Sequence, residues 1–228
     1  HLRDFDEQPC DQQAKTILLG ASNLWFADSI TALAIPTESG KLAQLVEEYY
    51  NQAQNVSITL ITFASSATVV NATPYTTKDA AIAAILTADG SGGTNYSSAL
   101  SAVQTSFGTV NPAVRNAVYF ISDGAPSDGD ETTPATSTGY AAWVSSNNID
   151  SYAVGVGTGI ANTGPLNGIH NVDANGNGTS DGAIIVPDLN DLGAALLSTV
   201  PLAYGGNVVS STADGNVLGA DGGYIQTV

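Results

Sequence analysis

The feature that most limits the fold of this chain is the alternation of two hydrophobic periods. Apolar runs of strand length occur at Lys15–Ala21, Asn55–Ala64, Ala67–Asn71, Arg115–Ser122, Ile149–Gly155 and Ala183–Val186, and several are rich in Val, Ile, Tyr and Phe. Helix-period segments lie between them. In Glu38–Ala53 the residues Leu42, Leu45, Val46 and Tyr49 share one helical face, while Tyr96, Leu100, Val103 and Phe107 follow at i, i+4, i+7 and i+11. Further helices are expected at Lys78–Leu86, Tyr140–Asn147 and Leu189–Val200. Strand alternating with helix predicts a doubly wound α/β domain, a mainly parallel sheet flanked by helices on both faces. Such folds bind ligands outside the carboxyl ends of their strands.

One main domain is expected over residues 15–204, after a polar leader at 1–14. From Gly205 the helical period disappears, and short β-type runs alternate with Asp-Gly and Gly-Gly turns. Residues 205–228 therefore read as a short β-rich extension or the start of an adjoining module, too small to fold alone. Five Lys and Arg against 21 Asp and Glu give a net charge of −16, which repels nucleic acid and anionic lipid. Many of the carboxylates sit in turns such as SDGAPSDGDE and DANGNGTSDG, where divalent cations neutralise acidic groups. Cys10 is the single cysteine, so neither an internal disulfide nor a cysteine-based zinc site is available. No apolar run reaches the roughly 18 residues of a membrane span, and residues 1–15 lack a signal-peptide pattern. A domain cut from a longer exported chain carries no signal of its own.

Two loops place oxygen-bearing side chains where the sheet should end. In ISDGAP, Asp123 follows the run Val118, Tyr119, Phe120 and Ile121; it reads either as a plain Asp-Gly turn or as an acid at the sheet rim. In SGGTNYSSAL, Gly92 and Gly93 precede Thr94 and a helix begins at once. Thr94 or Asn95 can cap that helix, or the Thr94 hydroxyl can face the rim as a hard oxygen ligand. Further on, Asp173, Asn175, Asn177, Thr179 and Asp181 fall at positions 1, 3, 5, 7 and 9 of an EF-hand-type calcium loop, with Gly178 at position 6. Position 12 is Ile184 instead of glutamate, so calcium would need another carboxylate, such as Asp188; otherwise the stretch is an Asn/Gly-rich surface loop. His170 beside it reads as a solvated surface residue. No G-x-S-x-G accompanies it, and GVGTG at 155–159 lacks the Lys-Ser/Thr of a phosphate loop, so no catalytic site is expected.

Taken together, GASNL, GGTNYSSAL and FISDGAP have the order and spacing of a von Willebrand factor A domain, which the chain resembles from about Lys15 to Val200. The resemblance implies a Rossmann-like fold and a metal-ion-dependent adhesion site. In the family that site draws on a first-strand motif Asp-x-Ser-x-Ser, a threonine after a Gly-rich loop and an aspartate in a Ser-Asp-Gly turn. Thr94 matches the second motif, Asp123 the third and Ser22 the first serine of the first. Gly20 stands where the family has its aspartate, and Leu24 where it has the second serine. One carboxylate and one hydroxyl are thus missing, and the site is either vacant, weakened or rescued by a nearby group such as Asn23 or Asp28. The implied cofactor is Ca²⁺ or Mg²⁺ with an open coordination position for an acidic group of a partner.

The phrases NAVYFISDGAPSDGD, SNNIDSYAVGVGTG, DLNDLGAALLSTV and TADGNVLGADGGYIQ further resemble the A domain of large bacterial repeats-in-toxin adhesins. That resemblance covers about Thr37 to Val228. It implies type I secretion, an extracellular place at the Gram-negative cell surface, and a role in attachment and biofilm formation. The expected partners are a protein or glycan ligand and the neighbouring adhesin modules, with no nucleic acid, no membrane insertion and a monomeric chain. A metal-stabilised spacer without a ligand of its own is the other reading.

Overall fold

The computed structural model describes residues 13–21, 38–52, 55–88, 93–127, 132–200, 211–212 and 215–216. Six strands form one sheet: β1 (Gln13–Ala21), β2 (Asn55–Phe63), β3 (Ala67–Val69), β4 (Asn116–Ser122), β5 (Ile149–Val156) and β6 (Ile184–Val186), in the order β3-β2-β1-β4-β5-β6. All pairings are parallel except that of β3, which folds back antiparallel on β2. The doubly wound α/β architecture expected from the alternating periods is therefore the one observed. Strand β1 sits at its centre, paired on both sides.

The strands are apolar on both faces because each face carries its own helical layer. In β4, Ala117, Tyr119 and Ile121 point to one side, where they meet α1 (Glu38–Gln52), α2 (Lys78–Thr87) and α7 (Leu192–Leu197). Val118 and Phe120 point to the other, against α3 (Tyr96–Phe107), α4 (Pro134–Ser137), α5 (Tyr140–Ser146) and α6 (Gly164–Ile169). Helix α1 buries Leu42, Leu45, Val46 and Tyr49, and α3 buries Tyr96, Leu100, Val103 and Phe107, the residues that carried the helical period. Aromatic rings fill the second layer: Phe63 and Phe120 lie 5.1 Å apart between ring centroids, and Tyr96 meets Phe120 edge-on at 4.7 Å.

Some boundaries differ from the sequence reading. The strand expected over Ala67–Asn71 stops at Val69, because the Asn71 side chain takes over the edge of β2: its Oδ1 accepts from Leu60 N–H at 2.8 Å and its amide donates to Ile58 O at 3.1 Å. The C-terminal helix splits into a 3₁₀ turn, Leu189–Asp191, and α7. Beyond it, β7 (Ser211–Thr212) and β8 (Gly215–Asn216) form a small antiparallel pair. Residues 1–12 of the polar leader and most of the tail lie outside the described residues, while Gln13 and Ala14 belong to β1.

Candidate metal centre

The register of the central strands sets the level of the rim. Gly20 of β1 pairs with Ile121 of β4, two residues before Asp123, which stands just past the carboxyl end of β4. Gly20 itself lies one pleat lower and brings no side chain to that level. Ser22, Asn23, Leu24 and Asp28 are outside the described residues.

The second loop resolves which residue caps α3. Asn95 is the N-cap, and its side chain accepts from Ser98 N–H at 2.8 Å. That frees Thr94, whose hydroxyl has no hydrogen-bond partner among the described residues and instead lies against the Asp123–Gly124 turn. A Cβ on Gly124 would come within 3.3 Å of the Thr94 Oγ1. The loop is held from outside: Asn95 N–H donates to Ala64 O at 2.8 Å and Gly93 N–H to Ser65 Oγ at 2.9 Å.

Two cross-links tie the Thr94 loop to the Asp123 loop. Thr94 N–H donates to Ser127 Oγ at 3.0 Å, and Ser127 N–H donates back to Thr94 O at 2.9 Å. From inside the core, the Tyr96 hydroxyl donates to Gly124 O at 2.7 Å, and Ser122 Oγ donates to the same carbonyl at 2.9 Å. Burial pushes the Tyr96 phenol up to about 12, so it stays a neutral donor. Ser127 had no signal in the sequence and Tyr96 only that of the helical period; their roles here depend on contacts about 30 residues away.

Asp123 is half-buried, and desolvation raises its carboxyl above the ordinary carboxylate range, with its own backbone N–H acting in the opposite direction. No other described residue bonds that carboxylate. Among the described residues no three His, Cys, Asp or Glu side chains converge. A cation at this rim would thus meet hydroxyls and one carboxylate, a hard-oxygen set suited to Mg²⁺ or Ca²⁺ and poor for thiolate-seeking metals.

Residues 173–181 form a separate, exposed loop that closes on itself. Asp173 accepts from Asn177 N–H at 3.1 Å and from Gly178 N–H at 2.6 Å, and Asn177 Oδ1 accepts from Thr179 N–H at 2.9 Å. Asp181 accepts from Ala174 N–H at 2.8 Å and from the Asn175 side chain. Gly178 has φ of +86°, the left-handed turn that the calcium-loop spacing requires at this position. Asp188, the suggested extra ligand, caps the 3₁₀ turn by accepting from Asn190 N–H at 2.9 Å.

His170 corrects the sequence reading. It is 6% exposed, not solvated: its Nδ1 accepts from Ala153 N–H at 3.1 Å and its ring meets Tyr152 edge-on. Burial lowers its basicity. The ring is a core element bridging β5 and the following loop, remote in role from the rim.

The family model of the von Willebrand factor type A domain matches residues 28–196, and the chain belongs to that family. Among solved structures, proximal thread matrix protein 1 from the mussel byssus aligns with TM-score 0.62 at 18% identity, over 85% of this chain and 49% of that one. The chain thus spans about half the length of that mussel protein. A form of the same protein with a zinc-occupied MIDAS motif aligns with TM-score 0.61 at 17% identity, over 83% and 45% of the two chains. The pilus adhesin SpaC from Lactobacillus rhamnosus GG aligns with TM-score 0.54 at 14% identity, over 82% of this chain and 30% of the adhesin. No curated protein matches the sequence.

Proposed function

We propose that this chain is a non-catalytic adhesion module that holds a divalent cation at the rim and binds an acidic group of its partner through it. The observation that carries the reading is a Thr94 hydroxyl without a hydrogen-bond partner among the described residues, lying against the turn that holds the half-buried Asp123, with the two loops cross-linked. Ser22, the serine that the first motif retains, would supply the third oxygen. A cation there would stabilise the anionic form of Asp123 and present a positive charge to a ligand carboxylate. Because Gly20 contributes no carboxylate, the site is weaker than one with the full family motif. The mussel protein's zinc-occupied MIDAS motif and the adhesin fold neighbour are consistent with this role.

In this proposal the module belongs to a secreted repeats-in-toxin adhesin at a Gram-negative surface, with Ca²⁺ or Mg²⁺ as cofactor and a protein or glycan as ligand. Residues 15–204 would be the A domain and 205–228 the passage to the next module. The acidic loop holding Asp173, Asn175, Asn177, Thr179 and Asp181 would take calcium as a stiffening element. Its closed, Gly178-dependent geometry favours the second reading, a calcium-stiffened spacer, if the rim binds nothing.

Calorimetric titration of metal-stripped protein with Mg²⁺ and Ca²⁺ separates the two. Thr94→Ala and Asp123→Ala should each abolish one binding event and leave the fold intact, while Asp173→Ala removes only a calcium event. Rim variants that titrate like the wild type would refute the adhesion-site reading.

A further inference from the structure

The GVGTG run is neither a metal motif nor a phosphate loop, yet its last glycine touches the rim. Gly159 lies so close to the Asp123–Gly124 turn that a Cβ at 159 would stand 2.4 Å from the Asp123 carbonyl oxygen and 3.9 Å from Gly124 Cα. Real side chains do not approach within 3.0 Å, and the obstacle here is backbone, which cannot rotate aside. Gly159 is not among the positive-φ glycines, so closeness and not conformation demands the missing side chain. Gly157, two residues earlier, is the converse: φ is +75° and the space around it is open.

The same turn also faces Thr94, whose Oγ1 is 3.3 Å from the Cβ position of Gly124. The Asp123–Gly124 turn is therefore in close contact with both the Thr94 loop and the connection that follows β5, and Tyr96 fixes the Gly124 carbonyl. A displacement forced at Gly159 falls on the backbone that carries Asp123. We infer that Gly159 is a positioning residue for the metal site: its bare Cα is the seat that sets how far Asp123 stands from the Thr94 hydroxyl. This rests on the metal reading of the rim, and its test distinguishes the two.

The test compares Gly159→Ala with Gly157→Ala by Mg²⁺ titration, melting temperature and amide hydrogen exchange of the metal-free protein. Gly159→Ala should weaken Mg²⁺ binding at least tenfold and speed exchange of the Thr94 and Ser127 amides at least tenfold relative to β4 amides. Gly157→Ala, strained by its φ alone, should lower the melting temperature and leave both rim readouts at wild-type values. Wild-type exchange at Thr94 and Ser127 in Gly159→Ala, or equal rim loss in both variants, overturns the inference. If the wild type binds no Mg²⁺, the metal reading fails, and the exchange comparison alone decides for or against the seat. Should Gly159→Ala not fold, the wild-type amide spectrum decides: Mg²⁺ must shift Gly159 along with Gly124, and a stationary Gly159 beside a moving Gly124 overturns it.

Discussion

Removing one buried hydroxyl, by Tyr119→Phe, tests how the C-terminal helical segment is fastened to the sheet. The Tyr119 hydroxyl lies 2.8 Å from the Tyr49 hydroxyl of α1 and 2.7 Å from Thr199 Oγ1, which follows α7. The ring itself should stay in place, stacked on Tyr152 at 4.9 Å and edge-on to Tyr49 at 6.0 Å, so no cavity opens. The loss is then confined to two buried hydrogen bonds. Thr199 Oγ1 donates its proton to Leu196 O at 2.6 Å, so Tyr119 donates to Thr199 and Tyr49 donates to Tyr119; the change leaves the Tyr49 O–H without its acceptor, although Tyr49 still accepts from Arg115 Nη1 at 3.4 Å. With one bond lost at about 0.5–1.5 kcal/mol and one buried donor left unpaired at about 1–3 kcal/mol, the expected cost is about 2–4 kcal/mol. For a domain of this size that is a fall of roughly 5–15 °C in melting temperature. Urea unfolding of Tyr119→Phe, Thr199→Val and the double variant measures it, with the double variant costing less than the sum of the two single costs. A loss below about 0.3 kcal/mol, or strict additivity, would show that the network is not shared across α1, β4 and the residues after α7.

Two further outcomes follow from buried polar groups. His170 is neutral in the folded state with its basicity lowered by burial, whereas the unfolded chain takes up its proton below about pH 6.5, so stability is full above that pH and declines as pH falls toward the lowered folded value. His170→Asn, which keeps an acceptor and cannot titrate in this range, should flatten the decline in melting temperature between pH 7.5 and 5; an unchanged slope would refute the assignment. Asn71→Ala takes the side-chain partner from Leu60 N–H, while Ile58 O keeps the bond from Tyr75 N–H at 2.7 Å, and should cost about 1–3 kcal/mol in urea unfolding. A cost under about 1 kcal/mol would mean that water replaces the amide there.

Periodicity made the large elements legible because burial on a shared face is written locally. Leu42, Leu45, Val46 and Tyr49 announced α1, and the run Val118–Ile121 announced a strand covered on both faces. The short helices Pro134–Ser137 and Gly164–Ile169 were not legible, since each spans too few turns to show a period and is signalled only by a proline at its start. At the rim, Thr94 and Asp123 were readable from their motifs, but the choice of Asn95 as cap needed the observed bond to Ser98. His170 misled because its polar neighbours in sequence are not its neighbours in space; the Ala153 amide that fixes it lies on β5. Gly159 was visible as part of a glycine run, yet the reason for it, contact with a backbone carbonyl on another strand's loop, exists only in three dimensions.

The central position of β1 has a mechanical consequence. Its ladders to β2 and β4 are both parallel, spanning Gln13–Ala21 on one side and Lys15–Gly20 on the other. Tension applied along such a strand shears its evenly spaced hydrogen bonds together, where an edge hairpin would unzip one rung at a time. Tension along β1 would therefore break both ladders abruptly and at high load.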